Sequence, residues 1–344
     1  CDSGEADPSM ETVSNNIAAD ENGGIYVVTS QAMHRIDWDA DEGTLDAAWS
    51  APYSTGADAE SAIRLGLGSG STPSLMGTDA DDDRFVVITD GQDLMHLVLF
   101  WRDDIPDGWE PVADGADPRI ACQVPVTFGD PFATRSLSEQ SVLVRGNATV
   151  HVSDLLVDDS AFAGMEGTTA TARAALEGGN PEQAPTGIER IDWDPQSRSC
   201  ESVWANTELS IPNGIPTMSA ATNLFYGVGL RGGEWGVEAV DFDTGESRFW
   251  LPSSGGGCEA EALDAVDPAR RPALDGVLQR LPNSCENSFY AATEVGPDGS
   301  IYTGTFLGVT SYLPFAQALD GDDGSGGGEA VSYTHLTLPT TLNS

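Results

Sequence analysis

Residues 23–50 read GGIYVVTSQAMHRIDWDADEGTLDAAWS, and this stretch sets the pattern for the whole chain. Three short runs within it, IYVV, MHRIDW and LDAAW, are rich in β-branched and aromatic residues and are separated by polar turns. Short runs of this kind, bounded by Gly, Asp and Ser, predict β-strands. The stretch therefore predicts consecutive antiparallel hairpins, and few other segments are long enough or periodic enough for a helix.

The same pattern recurs along the chain at wide intervals. The candidate second strands are GGIYVVTS at 23–30, DRFVVITD at 83–90, QSVLVRG at 140–146, NLFYGVGL at 223–230 and GSIYTGTF at 299–306. Each follows a shorter run, and the first four precede a third strand, which in the third unit is TVHVSDLL at 149–156. Four short antiparallel strands repeated about five times are typical of a β-propeller. We predict an all-β propeller over residues 15–320 with at least five blades, and six to eight also fit.

Two of the intervals are longer than the others, and they predict insertions at 157–186 and 253–286. The first insertion contains a helix candidate at Thr169–Glu177. The second contains DPARRPALDGVLQRLP, in which Pro268 lies near a helix start and apolar residues follow at spacings of three and four. Both insertions are therefore predicted to be partly helical.

The two ends of the chain are set apart from the propeller. Residues 1–14 are polar and predict an N-terminal tether. Residues 321–344 begin with a Gly-rich stretch, and VSYTHLTLPT at 331–340 resembles one translated frame of a sequencing adaptor. We give that segment no functional role.

The composition excludes several function classes. The chain carries 55 acidic and 15 basic side chains, all of the latter arginine, for a net charge of −40. Without lysine it has neither a Schiff-base nor a P-loop lysine, and its charge repels nucleic acid and anionic membrane surfaces. No stretch of 18 apolar residues predicts a transmembrane segment. We expect a monomer whose partner is a small molecule or a protein.

The cysteines suggest an exported protein. The polar stretch that follows Cys1 is typical of a lipid-anchored lipoprotein, although a fragment of a longer reading frame is the alternative. Cys258 and Cys285 bracket the second insertion, while Cys122 and Cys200 each precede a short β-like run. Two disulfides would indicate an oxidising compartment, periplasmic, cell-surface or extracellular; four buried thiols in a cytosolic protein are the alternative.

One hairpin-turn pattern recurs three times, as IDWDADEGTLDAAW, IDWDPQSRSCESVW and VDFDTGESRFW. Asp at the strand end accepts backbone N–H groups, and Gly supplies a positive φ. In Ala239–Gly245 with Trp250, the pattern resembles the quinoprotein-like (PQQ-like) propeller superfamily. That resemblance implies a propeller whose Trp packs between blades. It does not imply bound PQQ, because the quinoprotein site includes adjacent cysteines and this sequence has none.

Polar residues precede each predicted first strand, where a propeller places its channel mouth. The candidate ligand-binding residues are Asn16, Thr72, Gln140, Asn213 and Asn287. A ring of amide oxygens suits Ca²⁺, so Asn16, Asn213 and Asn287 are candidate metal ligands. The Asn213 and Asn287 motifs also resemble gluconolactonase-like propellers, which implies a Ca²⁺-dependent lactonase or esterase. Turn capping is the structural alternative for these side chains.

Two function classes follow from these patterns. The first, which we favour, is an exported binding or scaffold propeller. The second is the Ca²⁺-dependent hydrolase, for which no catalytic carboxylate is identifiable, so enzymatic activity stays open.

Two further patterns have weaker functional interpretations. Asp79, Asp81 and Asp83 share the spacing of a calcium loop but lack its turn glycine, which favours a solvated acidic hairpin. His34, His96 and His151 fall on or beside predicted third strands, where a shared metal or proton-relay role competes with ordinary blade packing.

Overall fold

The computed structural model describes residues 10–56, 64, 67–78, 81, 83–162, 168–253, 264, 268–269, 271–305 and 308–313. The chain forms two compact units. Unit 1 consists of Cys1–His151, Ser160–Thr171 and Glu189–Ala205, and unit 2 consists of Val152–Asp159, Ala172–Ile188 and Asn206–Ser344.

Unit 1 holds three four-stranded antiparallel sheets, the third of them lying mostly within it. The first sheet consists of β1 (Ala18–Ala19), β2 (Gly24–Val28), β3 (Ala32–Asp39) and β4 (Thr44–Pro52). The second consists of β5 (Ser74–Met76), β6 (Phe85–Thr89), β7 (His96–Trp101) and β8 (Ile120–Pro125). The third consists of β9 (Leu143–Arg145), β10 (Ala148–Val152), β11 (Ile188–Asp194) and β12 (Ser199–Asn206).

Unit 2 holds two more antiparallel sheets. One consists of β13 (Thr217–Ser219), β14 (Leu224–Arg231), β15 (Glu234–Asp241) and β16 (Ser247–Pro252). The other consists of β17 (Thr293–Val295), β18 (Ile301–Gly304) and β19 (Val309–Tyr312). In all five sheets consecutive strands are neighbours, which is the blade pattern of a propeller. The prediction of an all-β fold of the propeller type is confirmed.

Each of the two insertions contains an α-helix among its described residues. Helix α1 spans Thr168–Glu177, one residue longer than the predicted helix, and α2 spans Arg271–Arg280. Both are short, ten-residue helices. They add to the strand units without changing the order of strands in the sheets.

The strand assignment of the third unit was wrong by one position. Residues 140–146 contain the first strand, β9, and not the second, while TVHVSDLL contains the second strand, β10. The third strand, β11, begins only after the insertion. His151 therefore lies on a second strand. The insertion separates strands that pair with each other, and that separation hid their order.

Aromatic side chains fill the space between the second and third sheets of unit 1. Phe85 packs on Trp101 and Trp193, each with ring centroids 4.8 Å away. The indole nitrogen of Trp193 donates to Asp83 Oδ2 at 3.0 Å. The indole nitrogen of Trp49, in the first sheet, donates to the carbonyl of Arg102 in the second at 3.2 Å. Trp49 therefore joins two blades, as the turn pattern predicted.

The aspartates at the repeated turn cap it as predicted. Asp39 Oδ1 accepts the backbone N–H groups of Asp41 and Glu42 at 2.9 and 3.0 Å. Asp241 Oδ1 accepts those of the two residues after Phe242 at 3.0 Å. These hydrogen bonds stabilise the ionised carboxylate, and the pKa of Asp241 is lowered, first by its hydrogen bond with Arg248.

One predicted disulfide is present in unit 1. Cys122 on β8 and Cys200 on β12 are bonded, with Cα atoms 6.2 Å apart. The bond joins the last strands of two neighbouring sheets. Cys285 is fully buried and disulfide-bonded. The predictions for Cys1 and Cys258 lie outside the described residues, as do Asp79 and the end of the chain after 313. Among the helices described, none is long and apolar enough to cross a membrane.

Candidate active site in unit 1

The hairpin between β6 and β7 places a carboxylate against an imidazole. Asp90 directly follows β6, His96 begins β7, and Asp90 N–H donates to the carbonyl of His96 at 2.9 Å. On the same pair, Asp90 Oδ2 lies 2.9 Å from His96 Nδ1. Asp90 is 1% exposed. A buried carboxylate requires hydrogen-bond donors, and the hairpin supplies them.

The other contacts of Asp90 hold it in one orientation. Its Oδ1 accepts the backbone N–H of His96 at 2.9 Å and that of Gln92 at 3.2 Å. The Gln92 side-chain nitrogen donates to Oδ2 at 3.1 Å. Two backbone and two side-chain groups thus position one carboxylate, so the aspartate has little freedom to rotate.

Two groups lie near His96 Nδ1, the carboxylate of Asp90 at 2.9 Å and the side-chain nitrogen of Gln92 at 3.3 Å, and the shorter contact with the carboxylate favours one tautomer of the ring. An ionised carboxylate only accepts hydrogen bonds, so Nδ1 carries the proton that faces Asp90. In the neutral ring, Nε2 then holds a lone pair. No residue that the structure describes bonds to Nε2, and this atom is not one of the buried unpaired ones. The second ring nitrogen of His96 thus has no hydrogen-bond partner among the described residues.

That nitrogen belongs to a residue that lines a cleft of about 470 Å³. The cleft is formed by the end of β4, by β7 and β8, and by the loop before β8. Its lining residues are Pro52, Tyr53, Ser54, His96, Val112, Ala113, Asp114, Gly115, Ala116, Asp117, Ile120, Gln123 and Pro125. Its volume falls within the range of about 300–1,000 Å³ that is usual for small-molecule sites.

The walls of the cleft are held by the fold. The Tyr53 hydroxyl donates to the carbonyl of Thr29 at 2.7 Å and accepts the N–H of Ser69 at 2.8 Å, so the ring is fixed. Burial raises the pKa of Tyr53, which keeps the phenol neutral. On the opposite side, Ala116 N–H donates to Ala113 at 3.1 Å. Gly115 has a φ of 83° within that turn, where a type II turn needs glycine.

The residues predicted at the channel mouth do not line this cleft. In unit 1, the Asn16 N–H donates to Thr72 Oγ1 at 3.2 Å, which brings those two together, but Asn16 itself is exposed. Gln140 is 1% exposed and lies just ahead of β9. No hydrogen bond joins Gln140 to Asn16 or Thr72 among those the structure describes.

In unit 2, the predicted pair Asn213 and Asn287 is brought into contact. Asn213 Nδ2 donates to Asn287 Oδ1 at 3.0 Å, and both residues are buried. Both Nδ2 atoms also donate to the carbonyl of Ala175 in the last turn of α1, at 2.7 and 2.9 Å. Carbonyls in a last turn lack helical partners. The amides therefore cap the helix of the first insertion.

This arrangement does not fit a Ca²⁺ site. The cation needs oxygen ligands, whereas both amide nitrogens face the Ala175 carbonyl. Asn287 Oδ1 already accepts two N–H groups, from Asn213 and from the backbone of Phe289 at 2.8 Å. Within the described part of the chain, no cluster of three or more His, Cys, Asp or Glu could hold a metal. The calcium expectation stays a prediction.

The other two histidines have partners of their own. His34 Nε2 lies 2.7 Å from Glu11 Oε2, and both residues are partly exposed. His151 Nε2 lies 3.1 Å from Thr149 Oγ1 in the core, and burial lowers the pKa of His151 to about 3. Each of the three histidines that the structure describes thus has a different neighbour, and only His96 among them combines a buried carboxylate with a cleft.

The candidate calcium loop has structural contacts instead. Asp81 Oδ2 accepts both the backbone N–H and the hydroxyl of Thr78, at 2.7 and 2.9 Å, and these bonds lower the pKa of Asp81. Asp83 accepts the indole N–H of Trp193. The two carboxylates therefore stabilise a turn and a packed aromatic ring.

The comparisons with known proteins assign no family to the chain. No known family model matches the chain. An uncharacterized protein of Archaeoglobus fulgidus is 46% identical over 299 residues, which are 87% of this chain and 51% of that protein. The chain thus spans about half the length of this relative.

Among solved structures, the chain is similar to a Lactobacillus plantarum protein, with a TM-score of 0.48, 11% identity and coverage of 94% of this chain and 71% of that one. A Bacteroides uniformis protein named as a candidate 6-phosphogluconolactonase has a TM-score of 0.47, 12% identity and the same coverage. A luciferin-regenerating enzyme has a TM-score of 0.40, 10% identity and coverage of 95% and 77%.

Proposed function

We propose that the protein is an exported binding module of the β-propeller type that holds a small organic cation in the cleft beside His96. The observation that supports this most is the composition of the lining. Its ionisable side chains, apart from His96 and the phenol of Tyr53, are the carboxylates of Asp114 and Asp117.

Among the described residues, Arg119 interacts electrostatically with Asp117 and so offsets part of the charge of this lining. The arginine nearest in sequence, Arg119, donates to the carbonyls of Trp101 and Asp103 at 2.8 and 2.6 Å. Its guanidinium also stacks on Trp49, 4.5 Å from the ring centroid. The net charge of −40 adds a field of the same sign. Cationic ligands are therefore attracted and anionic ones are repelled.

The remaining surface suits a small organic molecule. Pro52 and Pro125 are conformationally rigid, and Tyr53, which also lines the cleft, is held by its two hydrogen bonds. Export is supported by the disulfide between Cys122 and Cys200, since such bonds persist in oxidising compartments.

A matched series of probes tests the proposal. N-methylglucamine, sorbitol and gluconate share a six-carbon polyol skeleton and carry charges of +1, 0 and −1. By isothermal titration calorimetry at low ionic strength, we expect N-methylglucamine to bind most tightly and gluconate least. Added salt should narrow the differences, because it screens the carboxylates.

The variant Asp114→Asn removes one charge from the cleft. We expect it to reduce the preference for N-methylglucamine over sorbitol by about two- to fivefold, the effect of one exposed ion pair. The control is Asp107→Asn, which removes the same charge from an exposed residue outside the lining. Equal binding of gluconate and N-methylglucamine, or equal effects of the two substitutions, would contradict the proposal.

The Ca²⁺-dependent lactonase is the second hypothesis from the sequence. The resemblance to PQQ-like and gluconolactonase-like propellers is also still a hypothesis. The orientation of Asn213 and Asn287 does not favour the lactonase, so we do not adopt it as the function.

A further inference from the structure

We propose that His96 is a general base that activates water for hydrolysis of carboxylic esters bound in the cleft, with Asp90 as its positioning residue. This inference rests on the proposed cation site, and it adds a reaction to what would otherwise be a binding protein. It would make the substrate a small ester with a cationic group.

The first step of the argument is the state of the imidazole. Asp90 Oδ2 fixes the proton on Nδ1, which leaves the lone pair on Nε2. A general base must accept a proton at neutral pH from a group within hydrogen-bond reach. The hairpin leaves the side chain of His96 partly exposed, so that water can reach it, while that of Asp90 has no exposed surface.

The second step is the role of the buried aspartate. When Nε2 takes a proton, the ring becomes positively charged, and the carboxylate at 2.9 Å stabilises that charge. Asp90 stays in place because two backbone N–H groups bind its other oxygen. The carboxylate thus orients the base and also stabilises its protonated form.

The third step is the reaction. A water molecule that donates to Nε2 attacks the ester carbonyl carbon while its proton passes to the imidazole. The tetrahedral intermediate then breaks the bond between the carbonyl carbon and the alkoxy oxygen, and the imidazolium returns the proton to the departing alcohol. Ester and water give an alcohol and a carboxylic acid, whose proton goes to solvent. No oxidant or cofactor takes part.

The fourth step is substrate selection. The carboxylates of Asp114 and Asp117 line the same cleft as His96. An ester whose alcohol carries an ammonium group can place that group near them while its carbonyl lies at Nε2. We therefore expect choline-type esters to react faster than their neutral counterparts.

The test uses the full chain with acetylcholine and with 3,3-dimethylbutyl acetate, which replaces the ammonium nitrogen by carbon. Acid release is followed in a pH-stat. We expect acetylcholine to be hydrolysed faster than the isostere, with an acid limb in the pH profile. His96→Gln should lower the rate at least about 100-fold, as for loss of a general base.

The control is His34→Gln, because His34 also contacts a carboxylate, Glu11, but does not line the cleft. That variant should retain the wild-type rate. Asp90→Asn places an amide donor opposite Nδ1 and favours the tautomer with a proton on Nε2, so it should lose the rate and the acid limb. If Asp90→Asn does not fold, His96→Gln alone decides the role of the base.

Binding of N-methylglucamine separates this inference from the proposed function. The wild type is titrated with the probe, whose affinity depends on the carboxylates. Binding without any ester hydrolysis overturns the general base and leaves the cation site intact. Equal hydrolysis by wild type and His96→Gln also overturns it. Failure of the probe to bind the wild type contradicts the cation site itself.

Discussion

Replacing His151 by Gln should make the stability of the protein less sensitive to acid. His151 is buried, and its hydrogen bond runs to Thr149 Oγ1, which itself donates to the carbonyl of Ile191 at 2.8 Å. The hydroxyl therefore accepts from Nε2–H, and Nδ1 is a buried atom without a partner among the described residues. A second proton would place an unpaired donor in the core.

The size of the stability loss follows from the pKa shift of His151. Burial lowers the pKa of His151 from 6.5 to about 3. Below the unfolded value the unfolded chain binds a proton that the native state does not, so stability is lost as pH falls from 6.5 toward 3. The loss is about 1.4 kcal/mol for each pH unit, or about 2 to 3 kcal/mol by about pH 4.5. At neutral pH the effect is absent.

Urea unfolding of wild type and His151→Gln between neutral pH and about pH 4.5 measures this difference, and the protonation of the many carboxylates cancels in it. Val150→Ala, on the same strand, is the control, because it should lower stability by a similar amount at every pH. Parallel curves for wild type and His151→Gln over this range would refute the reasoning.

Two other outcomes are expected from the structure. The double variant Cys122→Ser with Cys200→Ser opens a loop with a sequence separation of 78 residues, so the unfolded chain gains entropy and the free energy of unfolding should fall by about 4 kcal/mol. Urea titration under non-reducing conditions measures this, and an unchanged midpoint would contradict the entropic explanation. Calcium should not raise the melting temperature, because the Asn213 amide is engaged; a rise that Asn213→Ala removes and Asp81→Ala retains would restore the calcium hypothesis.

The elements that could be predicted from the sequence are the local ones. The turn at Asp241 could be predicted because all its hydrogen bonds lie within a few residues: the aspartate that ends β15 accepts N–H groups two and three positions after it. A hairpin can also be predicted when only a few residues separate its two strands, as for β2 and β3. Helix α2 was predictable because apolar residues at spacings of three and four lie within one insertion.

The third sheet shows where local reasoning fails. Its second strand ends at Val152, and the strand that pairs with it begins at Ile188. Sequence patterns assign partner strands by proximity along the chain. The hairpin of β9 and β10 was therefore taken for the second and third strands of its sheet, although it forms the first and second. The pairing across the insertion depends on tertiary contacts that no short window contains.

The candidate site was half visible in the sequence. His96 was named as a histidine on or beside a predicted third strand, whereas its partner Asp90 was not a candidate. A hairpin in which the histidine follows the aspartate by six positions puts the two opposite each other, and this spacing is a signal that could have been used. The cleft depends on the loop at 112–117 packing beside β4, which the polar sequence of that loop does not reveal.

Position ahead of an inner strand is a weaker guide to function than unused hydrogen-bonding capacity. Asn213 and Asn287 occupy the expected position, yet the insertion supplies a carbonyl that both amides bind. Asp90 and His96 satisfy each other in the same way, except that an imidazole has two nitrogens and the pair uses one. The fold must bond its buried polar groups wherever they lie. A site for a ligand therefore arises where the protein satisfies the buried atom and leaves the accessible one free.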